Sequence, residues 1–284
     1  MKGLQLGDIT VTRVVEFEGE TSPRFLFEEG VREDFKVHEP ILAPHFYVPS
    51  NGRMLMSIHC FVVRTRHHTV LVDTCIGNHK KRDNPLWNML DGPFLADLAK
   101  AGVAPEAVDY VLCTHLHVDH VGWNTRLEDG KWVPTFPNAR YLFAKTEWEH
   151  WKQVAEPDTR EIIADSVLPI IEADRADLVE GDYAIDDELR LEPTPGHTPG
   201  HVSLRLSSNG KEAVITGDMI HHPIQIVAPQ WSSTFCVDPE QARATRRDFL
   251  SRYADRDVLI LGTHFASPTV GHIVGHGDTW RLKI

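Results

Sequence analysis

Thr114-His115-Leu116-His117-Val118-Asp119-His120 is the stretch that decides how this 284-residue chain is read. It comes directly after a short apolar run, residues 108–113, of the kind buried in a sheet core. In an extended chain residues i and i+2 point the same way, so His115 and His117 can grip one ion. Asp119 and His120 come where the chain should turn into a helix, and can reach a second ion beside the first. Imidazole and carboxylate suit zinc and neighbouring divalent metals. Alone, such a cluster could also be a polar surface turn.

Three further stretches share the same placement. Gly196-His197-Thr198-Pro199-Gly200-His201 comes after a strand ending at Glu192, and its glycines allow a tight turn that presents His197. Thr216-Gly217-Asp218 comes after a strand over 213–215, and Gly262-Thr263-His264 after one over 258–261. Each candidate ligand thus stands just after a buried strand, where loops converge at one edge of a sheet. A lone His or Asp there is structural more often than not, but four such placements together point to a metal site.

The rest of the chain alternates β-type with helical segments, an α/β pattern. Strands are expected at 9–17, 58–65, 69–72, 140–143, 188–192, 202–206 and 213–216, with 258–261 the last. The pair 58–65 and 69–72 should form a hairpin across Arg66-His67-His68. Helices are expected at 94–102 and 146–154. A third opens at Asp238-Pro239, with Asp238 as cap, Pro239 at the first helical position and Gln241 at the capping-box position. Residues 18–57 are the least regular stretch within what reads as one domain over 1–284. They suggest a lid, an oligomer arm or a plain surface excursion. Phe25, Phe27, Phe35, Phe46 and Tyr47 lie there, and burial of these against a second subunit would make the protein a homodimer.

Composition narrows the partners. At 42% hydrophobic and 25% charged residues the chain can bury a sizeable core. A net charge of −12 argues against nucleic acid as a main partner. No apolar run approaches the ~20 residues that span a bilayer, so no membrane partner is expected. The N-terminal stretch has no signal-type apolar block, which makes the cytoplasm the expected compartment. Cys60, Cys75, Cys113 and Cys236 form no CxxC pair and read as small buried residues.

The order of His115, His117, Asp119, His120, His197, Asp218 and His264 resembles the metallo-β-lactamase superfamily. The resemblance spans residues 58–275 and implies a four-layer αββα sandwich with two divalent metal ions, zinc first among them, at one sheet edge. It assigns His115, His117 and His197 to one ion, Asp119, His120 and His264 to the other, and Asp218 to both. Leu71-Val72-Asp73-Thr74 looks like the family's first motif, which gives Asp73 a supporting role behind the metal loop. The implied activity is hydrolysis by a metal-bridging hydroxide, since metal binding lowers the pKa of water from 15.7 to about 7. Asp119 could then carry a proton to the leaving group.

Within the superfamily, Phe136-Pro137-Asn138-Ala139 with Glu147-Trp148-Glu149 is similar to quorum-quenching lactonases. Gly217-Asp218-Met219-Ile220-His221 and His264-Phe265-Ala266-Ser267-Pro268 are similar to methyl parathion hydrolase. Acyl-homoserine lactonases carry a Tyr three residues after the bridging Asp, where this chain has His221. Either His221 or its neighbour His222 is expected to face the substrate and hydrogen-bond its reacting oxygen. Where the family often has two glycines, this chain has Gly122-Trp123. The expected substrate is a small, largely apolar lactone or ester, with Phe46, Tyr47, Trp123, Trp231 and Phe235 as candidate pocket aromatics. Phosphotriesters and glyoxalase II-type thioesters are the alternatives, and a non-catalytic metal-binding module is the reading from another class.

Overall fold

Apolar residues at Ile9, Val11 and Val14 alternate with polar ones, and β-branched side chains suit a pleated, half-buried surface. They form a strand that runs to Thr21, past the expected end. The computed structural model describes residues 3–28, 32–154 and 156–284, the side chains of 32–34 excepted. The described chain divides into two compact units, one built on Ile58–Gly181 with the N-terminal residues up to Glu16, the other on Phe17–Ser57 and Asp182–Ile284.

In the first unit the expected hairpin is present. Strand Arg53–Arg64 pairs antiparallel with Thr69–Val72, with Phe61 opposite Val72 and Arg64 opposite Thr69. The sheet then continues in parallel through Tyr110–Leu112, Arg140–Ala144 and Ala176–Val179. Strands buried on both faces read as continuous apolar runs, which is why 69–72 and 110–112 are legible without alternation. Val72 lies opposite Leu112. The two chain segments therefore leave the sheet side by side, one into Asp73 and the other into the Thr114–His120 loop. Helices Phe94–Lys100 and Lys145–Trp151 match the expectation within three residues at each end. Helices Pro157–Ser166 and Leu168–Glu172 and a small hairpin, Thr125–Glu128 with Lys131–Pro134, are additions to the expected elements.

In the second unit a six-stranded sheet runs in the order Leu189–Pro193, Val202–Ser208, Lys211–Ile215, Val258–Leu261, Val270–His276, Thr279–Lys283. The strand at 258–261 is thus not the last. The two later strands turn at Gly277, with φ +60°, and few of their residues face inward, so their apolar signal is weak. Lys211–Ile215 and Val258–Leu261 are parallel, with Ile215 opposite Leu261. This sets the Asp218 and His264 loops at the same sheet edge. Helix Pro239–Tyr253 opens as expected, with Asp238 Oδ1 accepting from Gln241 N at 2.9 Å.

The stretch 18–57 is less irregular than expected. It holds helices Pro23–Leu26, Arg32–Val37 and Glu39–Leu42 and the strand Tyr47–Val48; residues 29–31 lie outside the described residues. Phe27, Phe35, Phe46 and Tyr47 are buried in the core of their own unit, where Phe35 and Phe27 meet Trp231 and Phe46 meets Phe265. Each such side chain contributes about 1.5–3 kcal/mol on burial. Four of the five aromatics behind the homodimer argument therefore need no second subunit. Among the described residues no helix is long and apolar enough to cross a membrane. Three of the four free cysteines are buried and the fourth, Cys236, is partly so.

Candidate metal centre

The His/Asp loop of the first unit is held from behind. Asp73 is 1% exposed and accepts from Thr114 N at 2.8 Å and from the Thr114 hydroxyl. His120 Nδ1 stands 2.9 Å from the other side of the same carboxylate. The Thr114 proton is committed to Asp73, so the Thr114 oxygen accepts from His115 Nδ1 at 3.1 Å. That tautomer leaves His115 Nε2 with a lone pair, and it faces His117 Nδ1 at 3.0 Å. Fixing one imidazole nitrogen so that the other can coordinate is the usual support of a metal ligand. His120 Nε2 in turn lies 3.6 Å from Asp119 Oδ1. The supporting role expected for Asp73 has the contacts it needs.

Glu147 is a support that sequence reasoning missed. It is 1% exposed, accepts from Leu116 N at 3.1 Å between His115 and His117, and also takes the indole N–H of Trp151. Its sequence signals are its place in the lactonase-like Glu147-Trp148-Glu149 stretch and the i, i+4 spacing of Glu147 and Trp151 on one helix face.

In the second unit Asp218 is the hub. His197 Nε2 and His221 Nε2 lie 3.4 and 3.2 Å from its Oδ2, and His264 Nε2 lies 3.1 Å from its Oδ1. His264 Nδ1 meets the Ser57 carbonyl at 2.9 Å. A carbonyl only accepts, so that nitrogen carries the hydrogen, and in the neutral imidazole Nε2 turns a lone pair toward the carboxylate. In that state a cation shared by the imidazole and the carboxylate suits the pair. His197 Nδ1 has Cys236 Sγ at 3.6 Å, and burial pushes the Cys236 thiol up to about 11.

Gly196 makes the His197 turn possible. Its φ is +129°, and a Cβ there would meet Ala242 N at 2.2 Å, so the turn can lie against the start of helix Pro239–Tyr253 only without a side chain. His201 fixes the Asp218 backbone. Its Nε2 accepts from Asp218 N at 2.8 Å, so its Nδ1 donates to Thr194 Oγ1 at 2.8 Å, and the chain of bonds passes through Ser203 Oγ to Thr216 O. His201 is thus committed to structure, not metal.

His221 and His222 differ in their surroundings. His222 spends both nitrogens locally, Nε2 on Phe46 O at 2.8 Å and Nδ1 on Ile224 N at 3.1 Å. Burial pushes its pKa down to about 4. His221 is the one turned to Asp218, and burial lowers its pKa as well, with Asp218 acting the other way.

Within the second unit His197, Asp218 and His221 form a group of three whose ligand atoms lie within 4.8 Å of one another, compact enough for one ion. Of the five aromatics expected near the substrate, Phe46, Tyr47, Trp123 and Trp231 are buried, and Phe235 is 44% exposed. Trp123 stacks on Phe94 at 5.2 Å and donates to Glu16 at 2.8 Å, so it packs in the core.

The chain matches the model of the metallo-beta-lactamase superfamily over residues 54–278. It belongs to that superfamily, and its mixed α/β fold is the metallo-β-lactamase fold. It is 27% identical over 177 residues to the N-acyl homoserine lactonase AiiA of Bacillus thuringiensis subsp. kurstaki, an alignment that covers 58% of this chain and 64% of the relative. The match thus spans less than two thirds of the relative's length. A solved hydrolase of the β-lactamase superfamily, AbOPH, is similar at a TM-score of 0.80 and 26% identity, with 99% of this chain and 97% of that one covered. The dizinc quorum-quenching lactonase AidC has the same fold at a TM-score of 0.80 and 21% identity, with 99% and 96% covered.

Proposed function

We propose that this protein is a metal-dependent hydrolase that opens a lactone or cleaves an ester of a small, largely apolar substrate. Two divalent ions, zinc first among them, are assigned to His115, His117 and His197 and to Asp119, His120 and His264, with Asp218 shared. The observation that carries the reading is the buried Asp218 carboxylate ringed by three imidazole nitrogens at 3.1–3.4 Å. Resemblance to lactonases supports the substrate class.

Ions bound there would polarise the substrate oxygen and supply a nucleophile at neutral pH. The chain's own residues do the rest. Asp73, Thr114 and Ser57 hold the ligand imidazoles in the coordinating tautomer. Asp119, with 15% of its side chain exposed, carries a proton to the leaving group. His221 donates a hydrogen bond to the reacting oxygen from the side of Asp218 where its Nε2 stands.

The test is a panel of p-nitrophenyl esters and lactones, with elemental analysis of the protein beforehand. About two equivalents of metal are expected, with turnover that a chelator abolishes and zinc restores. Metal binding without turnover on any member of the panel would favour the non-catalytic module. On the best substrate, His221→Ala should keep both metals and lower kcat at least about tenfold, with little change in KM. His222→Ala is the control, and its effect should fall mainly on stability. Equal kcat in His221→Ala and the wild type would remove His221 from the mechanism.

A further inference from the structure

The turn that carries Asp218 and His221 is tied down by two buried side chains that no ligand pattern includes. Arg246, on helix Pro239–Tyr253, is 0% exposed. Its Nε donates to Met219 O at 3.0 Å, and its Nη1 donates to Pro229 O at 2.9 Å and Trp231 O at 2.7 Å. All three partners are main-chain carbonyls, and Nη2 is buried with no hydrogen-bond partner among the described residues. Burial pulls the guanidinium down to about 10. A buried cation with no carboxylate among its hydrogen-bond partners in the described residues is expensive to keep, which sets this arginine apart from ordinary core packing.

Gln225, also 0% exposed, holds the same turn from its other end. Its Oε1 accepts from His221 N at 2.7 Å and more weakly from His222 N at 3.4 Å, and its Nε2 donates to Trp231 O at 3.1 Å. Trp231 O is therefore shared by Arg246 and Gln225. Met219 lies between Asp218 and His221 in sequence, so its carbonyl fixes the peptide that joins the two. The planar guanidinium fork sets the directions of its bonds, whereas an ammonium is only a point charge.

We infer that Arg246 and Gln225 are positioning residues that lock the 218–222 turn onto the 229–231 segment, and so hold the Asp218 carboxylate where a shared metal ligand must stand. The inference rests on the proposed metal role of Asp218. It predicts a loss that a merely structural pair would not cause: metal retention falls while the fold survives.

The experiment tracks zinc release from the loaded full-length protein to a chromogenic chelator, for wild type, Arg246→Lys and Gln225→Met. Melting curves in excess chelator report the fold without metal. Both variants should melt within a few degrees of the wild type in chelator, yet release zinc at least about tenfold faster. Release at the wild-type rate, whatever the melting temperature, would overturn the inference. If Arg246→Lys does not fold, Gln225→Met decides by the same measure. A wild type that holds no zinc would overturn the metal reading itself, an outcome separate from equal release rates.

Discussion

Asp218→Ala should strip at least one metal equivalent from the protein and lower kcat by at least about 10²–10³. The carboxylate has three imidazoles within 3.4 Å and is the one ligand assigned to both ions, so its loss uncouples the two sets. Several kcal/mol of transition-state stabilisation come from a metal that polarises the substrate oxygen, and each 1.36 kcal/mol is about tenfold in rate. Asp73→Ala should act differently. It leaves the Thr114 N–H and the Thr114 hydroxyl without their acceptor and removes the carboxylate beside His120 Nδ1. Each buried group so stranded costs about 1–3 kcal/mol, and the loss falls first on stability. Metal content and melting temperature measured together separate the two variants. Asp73→Ala losing its metals while Asp218→Ala kept both would reverse the roles.

Gly122→Ala should be among the most damaging single-methyl additions in the chain. A Cβ on Gly122 would sit 1.8 Å from Ile76 O and 1.9 Å from Ile76 C, which are backbone atoms with no rotamer to change. The contact is locked from both sides, because Gly122 N donates to Cys75 O at 2.7 Å and Trp123 N to Thr74 O at 2.8 Å. Overpacking a core costs about 1–3 kcal/mol, and forced backbone movement puts this case at or above the upper end. For a chain of this size that corresponds to a fall in Tm of about 6–10 °C by calorimetry. Gly122 also comes directly after helix Val118–Val121, so Asp119 and His120 should shift and their metal should be held less tightly. Gly92 is the control, since nothing there lies within 3.9 Å of an added Cβ, and Gly92→Ala should stay within about 0.5 kcal/mol. An unchanged Tm and metal content in Gly122→Ala would mean that the two backbones can part freely.

Local sequence was enough to locate the ligand-type residues in the fold. A run such as residues 108–113 is buried because it is apolar, and the polar residues after it must leave the sheet edge, so His115 to His120 were legible as an edge cluster. The same logic located His197, Asp218 and His264. It also opened the long helix at Asp238, because capping and the first-turn proline are local effects. Elements with weak local signals escaped it. The strands Val270–His276 and Thr279–Lys283 carry few inward apolar residues, and helix Pro157–Ser166 has no side-chain cap. Questions that depend on partners distant in sequence were answered by the folded chain alone. His221 and His222 are adjacent and chemically identical, and it is the Phe46 carbonyl, 176 residues away, that engages His222 Nε2 and not His221. Trp123 joins the core because Phe94 and Glu16 receive it. The aromatics of 18–57 pack inward because Trp231 and Phe265 wait there. Arg246 looks like any helical arginine in the sequence, and becomes a buried clamp only because three carbonyls from other segments converge on it. Hydrogen-bond direction and close packing are set by which segments meet, and local sequence carries no record of that meeting.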